Sequence, residues 1–401
     1  MCIRYFLKLH FNTFFLIFSI SLFSACHSKK ENFTANDFKE WFTKPTTALT
    51  TELSSLPLRA IDSFVKAIRM KSASGSLVDT LIDTTGTAYT LGFRTPKEIR
   101  PDTLYPLVVY LHGGTGTQIN TKGEKAYEML LPLGDNMQIF LASPSASRNA
   151  RWWDATGLYR ILQTVRYMTI HYPIDPDRIF LAGVSDGATG CWAAANCING
   201  PFAGFFAISG FGGMLPSTGM ELYPENIKQR PIYSVNAGKD RLYSIDMVNE
   251  FLDYMVSKGV PVIRKNYPDQ QHGFDYRDKE FSTLCGFLKT WKRVENNPLA
   301  WTFSPGFPNR PQSVVDWTIS EVANRRFVEG VLSNDTLAIT MQGISSVTLD
   351  IPLTPEFIYV KTGKSSPGKI NSINTNYLRL QSMIMQSNPT SQVNHCFKIT
   401  F

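Results

Sequence analysis

The chain has 401 residues, 43% of them hydrophobic and 18% charged, with a formal net charge of +7 at pH 7. That length leaves room for two domains with a full apolar core. The basic residues are scattered without a long run, so no nucleic-acid partner is expected. Six cysteines are too few for a disulfide scaffold in a chain of this length, and no C-x-x-C or Cys/His cluster implies a metal or another cofactor.

Arg4 and Lys8 precede an apolar run from Phe11 to Phe23 that ends in Leu22-Phe23-Ser24-Ala25-Cys26 and turns polar at His27. A positive start, a short apolar stretch and small residues before a cysteine resemble a bacterial lipoprotein signal. The resemblance implies cleavage before Cys26, lipidation of its thiol, a membrane partner through that anchor and a place in the cell envelope. Phe23 departs from the Leu or Val usual there. A plain secretory signal and a retained anchor helix are the alternatives, although the run is short for a span.

From Glu31 to about Ser54 the composition is polar and mixed, which reads as a tether followed by irregular structure. Leu58, Ile61, Phe64, Val65 and Ile68 have helical spacing. Ala88–Pro96 alternates like an edge strand. A continuous buried strand is expected at Pro106–Leu111, with further strands at Gln138–Ala142, Arg178–Ala182, Gly204–Ser209, Ile232–Ala237 and Val262–Tyr267. Helices are expected over Leu158–His171, after Ser185, over Met247–Lys258 and over Lys279–Lys292. Short apolar strands alternating with helices predict an α/β block with a mostly parallel sheet covered on both faces. Beyond Asn297-Pro298 the pattern changes to strands alone, at Val315–Ile319, Leu337–Met341, Val347–Ile351 and Phe357–Lys364, which predicts a small all-β, sandwich-like domain. The expected divisions are a leader at 1–25, a tether and helical segment at 26–85, the α/β block at 86–296 and the β domain at 297–401.

Gly183-Val184-Ser185-Asp186-Gly187 stands between the Arg178–Ala182 strand and the Ala188–Ala195 helix. Strand, sharp turn and helix with serine at the tip is the setting of a nucleophile elbow. A serine hydroxyl is a weak nucleophile and needs a base in contact and an acid to orient that base. Of six histidines, His10 lies in the leader, His27 beside the cysteine and His395 in the tail. His112 and His171 precede the serine, whereas this arrangement runs serine, acid, histidine. His272 remains, in a loop after the last α/β strand. Asp240 follows the preceding strand and is the candidate acid; Asp246 and Asp275 are rivals, the first at a helix start and the second too near His272 in sequence. Oxyanion donors are expected from the backbone N–H of Asp186 and from the loop carrying Gly114 and Thr115. Trp152 and Trp153 follow the Gln138–Ala142 strand. Exposed, they would suit a sugar or aromatic ring; otherwise they are core or cap residues. Cys191 and Cys197 share one expected helix and are poorly placed to bond to each other.

With these residues in view, the block from about Tyr89 to Trp291 resembles the α/β-hydrolase fold. The His112-Gly113-Gly114 loop, Gly183–Gly187, Gly238-Lys239-Asp240 and His272-Gly273-Phe274 resemble polyhydroxybutyrate depolymerases and feruloyl esterases. The resemblance implies a cofactor-free carboxylic ester hydrolase acting on a small or polymeric ester. Peptidases of the prolyl-oligopeptidase type share such a block, but no propeller-length segment exists here. A non-catalytic, glycan-binding surface lipoprotein is the remaining alternative.

Overall fold

The computed structural model describes residues 33–43, 45–68, 74–100, 102–293, 299–311, 314–319, 325–333, 336–351, 357–362, 369–371, 383 and 395–400. The expected leader and Cys26 lie outside the described residues. Three helices come first, α1 (Ala35–Thr43), α2 (Thr47–Ser54) and α3 (Leu58–Ile68). The expectation of a tether and irregular structure up to Ser54 therefore fails from Ala35 onward. Phe38, Trp41 and Phe42 form one buried face. Thr34 and Asp37 cap the start reciprocally: the Thr34 N–H donates to Asp37 Oδ2 at 2.9 Å and the Asp37 N–H to Thr34 Oγ1 at 3.3 Å. Trp41 Nε1 donates to Thr50 Oγ1 at 2.9 Å, joining α1 to α2.

The next elements are β1 (Ser76–Ile82), β2 (Ala88–Arg94), β3 (Tyr105–Leu111), α4 (Leu131–Asn136), β4 (Phe140–Pro144), α5 (Ala155–His171), β5 (Ile174–Val184) and α6 (Asp186–Cys197). They are followed by β6 (Gly204–Ile208), α7 (Pro224–Ile227), β7 (Ile232–Ala237), α8 (Ile245–Ser257), β8 (Val262–Tyr267) and α9 (Arg277–Thr290). The eight strands form one sheet in the order β1-β2-β4-β3-β5-β6-β7-β8. Pairing is parallel from β4 through β8 and antiparallel at β1–β2 and β2–β4. β2 is thus an inner strand and not the expected edge, because β1 pairs outside it. The mixed Ser-Leu-Val-Asp-Thr-Leu-Ile pattern of β1 alternates only weakly and conceals it.

Strand alternation divides the core. Leu107, Val109 and Leu111 face a cluster containing residues of α5, α6 and α8, whereas Val108 and Tyr110 face one containing residues of α4 and α9. A mostly parallel sheet covered by helices on both faces is the α/β architecture that the sequence predicts. Among the described residues, no helix is long and apolar enough to cross a membrane.

The last strands are β9 (Leu299–Thr302), β10 (Val314–Ile319), β11 (Phe327–Ser333), β12 (Thr336–Gln342), β13 (Ile344–Ile351), β14 (Phe357–Thr362), β15 (Lys369–Asn371) and β16 (His395–Thr400). They build two sheets, β10-β13-β16-β15 and β14-β12-β11-β9, antiparallel except for β12–β14. Trp301, Val328 and Ile339 of one sheet share a core with Val314, Val347 and Leu349 of the other, which makes a sandwich. The segment around β9 is bonded to the α/β block. The Asn226 amide donates to the Thr302 carbonyl and accepts from the Thr302 N–H, both at 2.8 Å. The Gly200 N–H donates to the Arg310 carbonyl and the Arg310 N–H to the Cys197 carbonyl, also at 2.8 Å.

Candidate active site

Ser185 follows β5 directly and caps α6, with φ 56° and ψ −120°. A non-glycine residue rarely adopts a positive φ, and holding one there costs about 1–3 kcal/mol. The surroundings enforce it: the Ser185 N–H donates to the Ile208 carbonyl at 2.9 Å, and its own carbonyl accepts from Ala188 and Thr189 in the first turn of α6. Gly187 lets α6 lie directly on β3, since a Cβ there would stand 2.0 Å from the Leu111 carbonyl oxygen.

His272 and Asp240 reach this serine from the loops after β8 and β7. His272 Nε2 lies 3.0 Å from Ser185 Oγ, and His272 Nδ1 lies 2.7 Å from Asp240 Oδ2. The other oxygen of Asp240 accepts the backbone N–H groups of Leu242 and Tyr243 at 2.8 and 3.0 Å, so the carboxylate is held on both sides. The Asp240 side chain is 2% exposed and that of His272 21%, so the carboxylate lies buried behind the imidazole. The rival carboxylates are elsewhere. Asp246 lies exposed in the first turn of α8. Asp275 pairs with Arg277, whose hydrogen bonds lower its pKa to about 2.

The loop after β3 lies against Ser185: a Cβ on Gly113 would be 3.1 Å from Ser185 Cβ. Of the two loop residues expected to supply an oxyanion donor, Thr115 does not fit. Its N–H donates to Asp186 Oδ2 at 2.7 Å and is spent there. Gly114, at φ 65°, remains, and its N–H has no hydrogen-bond partner among the described residues. Asp186 is the first residue of α6, so its N–H has no partner within the helix.

The expectation that Trp152 and Trp153 form an exposed binding platform is overturned. Trp152 is 0% and Trp153 5% exposed, so both are core residues. For Trp152 its place against the loop after β3 explains it: Nε1 donates to the His112 carbonyl at 2.8 Å, and the ring stands edge-on to the His112 ring at 5.2 Å. Cys191 and Cys197 are buried and unpaired, and burial raises the Cys197 thiol to about 12. Among the described residues, no group of three or more His, Cys, Asp or Glu side chains could hold a metal ion.

Several residues near the site have roles that the sequence pattern does not give. His112 accepts the Ala146 N–H at Nε2 (3.0 Å) while Nδ1 faces the Gly113 carbonyl at 2.8 Å, which assigns the neutral tautomer with its proton on Nδ1. Burial depresses its pKa to about 4. Lys122 Nζ donates to the Gly114 carbonyl at 2.6 Å. The Tyr243 ring lies 5.6 Å from His272, and its hydroxyl points at Met214 Sδ, 3.8 Å away. Burial, followed by the nearby Asp186 charge, raises the Tyr243 pKa. Each depends on a loop conformation that residue spacing does not encode.

No protein-family model and no curated protein matches the chain. Among solved structures it is similar to a thermostable esterase (21% identity, TM-score 0.44), covering 54% of this chain and 63% of that one. It is also similar to a ferulic acid esterase (16%, TM-score 0.43; 54% and 98% covered) and to an acylaminoacyl peptidase of Pyrococcus horikoshii (13%, TM-score 0.43; 57% and 44% covered). The chain thus spans less than two thirds of the thermostable esterase.

Proposed function

We propose that the protein is a serine hydrolase that cleaves carboxylic esters through an acyl-enzyme. The observation that carries this is the continuous chain from Ser185 Oγ through the His272 ring to the Asp240 carboxylate, at 3.0 and 2.7 Å. Nε2 is within reach of the serine proton and acts as general base. As Oγ adds to the ester carbonyl, that proton passes to His272. The resulting imidazolium is stabilised by Asp240, which keeps Nδ1–H directed away from the serine. The carbonyl oxygen becomes an oxyanion and is met by the N–H groups of Asp186 and Gly114. His272 then protonates the departing alcohol, and water, deprotonated by the same base, releases the acid.

A fluorophosphonate probe should label Ser185, and Ser185→Ala should abolish labelling and lower turnover of a soluble aryl ester on the order of 10⁶-fold. A variant within tenfold of wild type would end this assignment. Faster turnover of a peptide amide than of aryl acetates would replace ester hydrolysis by peptidase activity. Absence of labelling and turnover in the wild type would favour a binding protein.

The lipobox-like Leu22–Cys26 segment supports the further proposal that the mature protein is held in the cell envelope by lipid on Cys26. Intact mass of the detergent-soluble fraction should show an acylated Cys26 at the mature N-terminus; a free Cys26 thiol would refute it.

A further inference from the structure

We propose that the Asp186 side chain is a positioning latch that holds the Gly114 N–H in place to meet the oxyanion, an inference that rests on the serine-hydrolase reading. Asp186 Oδ2 accepts two hydrogen bonds from Thr115, from its N–H at 2.7 Å and from its hydroxyl at 2.8 Å. Thr115 is 1% exposed, so no solvent replaces that acceptor. The peptides before Thr115 are then ordered by planarity. The Gly113 carbonyl faces the His112 ring, so the Gly114 N–H points the opposite way. The Gly114 carbonyl faces Lys122 Nζ, so the Thr115 N–H points away from it, at Asp186. A residue one place after the nucleophile thereby supplies one donor from its backbone and fixes the loop carrying the other through its side chain.

A second physical point makes the carboxylate informative. A negative charge next to a developing oxyanion opposes it, so on charge alone Asp186 slows the reaction. Its presence here makes sense if two charge-assisted bonds to Thr115 hold the loop more firmly than a neutral group would. The two effects predict opposite outcomes for Asp186→Asn: charge removal alone raises kcat, whereas loss of the latch lowers it.

The test measures kcat and KM on an aryl ester, affinity for a trifluoromethyl ketone whose adduct carries the oxyanion, and thermal midpoint. It uses full-length wild type, Asp186→Ala, Asp186→Asn, Thr115→Val and the Asp186→Ala/Thr115→Val double variant. Asp186→Ala should lower kcat about 10- to 100-fold, short of the loss on removing an oxyanion donor outright, with KM changed less than about threefold. Affinity for the ketone should fall in proportion to kcat/KM. Asp186→Asn should lose less than Asp186→Ala, and Thr115→Val should add little in the Asp186→Ala background, because the two act as one unit. If Asp186→Ala does not fold, Asp186→Asn and Thr115→Val, which nearly conserve volume, carry the test. Asp186→Asn as fast as or faster than wild type, or additive Asp186 and Thr115 effects, overturns the latch while labelling at Ser185 leaves the hydrolase reading intact. A wild type that neither labels nor turns over removes both.

Discussion

Ser185 and His112 show how far single positions depend on their surroundings. Ser185 pays for a left-handed backbone so that its hydroxyl meets His272 at 3.0 Å. His112 precedes the serine in the chain and has a different task, as a buried, neutral brace of the loop after β3. That task has a pH signature. Its pKa falls from the ordinary 6.5 to about 4 on folding, through burial. Between those values the unfolded chain binds the proton and the folded chain does not, so unfolding takes up a proton. The stability is fully present above about pH 6.5 and is lost progressively as pH falls to about 4. A shift of this size corresponds to about 3 kcal/mol. Thermal midpoints of wild type should fall across this window, whereas His112→Gln, less stable at neutral pH, should show a flatter dependence. Parallel curves for the two proteins would assign the acid sensitivity elsewhere.

The strand–turn–helix from β5 into α6 depends on close backbone approach more than on propensity. Its residues Ala188, Cys191, Ala193, Ala194 and Ala195 are all 0% exposed, so α6 is small-faced and inserted between the sheet and its neighbours. Gly187→Ala places a methyl group 2.0 Å from the Leu111 carbonyl oxygen, a clash with backbone on both sides that no rotamer relieves. The variant should lose more than about 4 kcal/mol or fail to accumulate as folded protein. Urea unfolding against wild type measures this, and an unchanged midpoint would mean that α6 can move off β3. In α1, by contrast, three aromatic residues in a short polar helix supply the packing that makes Ala35–Thr43 regular.

In the molecule as a whole, the β sandwich is joined to the α/β block through buried polar groups. Asn226 is 0% exposed and both ends of its amide are engaged with Thr302. Phe307 packs against the core between the sheet and α5, α6 and α8. All proposed catalytic groups precede Asn297, which by itself suggests that a fragment ending at Lys292 keeps the chemistry. That fragment would leave Asn226 Oδ1 and the Gly200 N–H without their protein partners, at about 1 kcal/mol for each hydrogen bond lost, and would uncover the apolar surface on which Phe307 packs. Truncation after Lys292 should therefore give a protein with a lower unfolding midpoint and a tendency to aggregate, even where Ser185 still labels. Size-exclusion profiles and urea midpoints of fragment and full chain decide it; a monodisperse fragment with an unchanged midpoint would show that the interface contributes nothing to the block.

The alternation of short apolar strands with helices, and the order serine, acid, histidine along them, were legible in the residues, because buried parallel strands must be continuously apolar and each site loop follows a strand end. Ile232–Ala237 matches β7 to the residue for this reason, whereas Val262–Tyr267 matches β8 to the residue although that edge strand is largely exposed and carries Arg264 and Lys265. Ser185, His272 and Asp240 could be singled out, but their approach to 3.0 and 2.7 Å is a property of the folded loops. The weakly patterned β1, the helices α1 and α2 and the buried state of Trp152 and Trp153 were not legible. Each is decided by what packs on it: β2 offers β1 its ladder, Thr50 and the aromatic face order α1, and the His112 carbonyl receives the Trp152 N–H. Thr115 makes the same point at the site. Its backbone N–H resembles any other in a glycine-rich loop until the Asp186 carboxylate, 71 residues away in sequence, is brought within 2.7 Å and takes it.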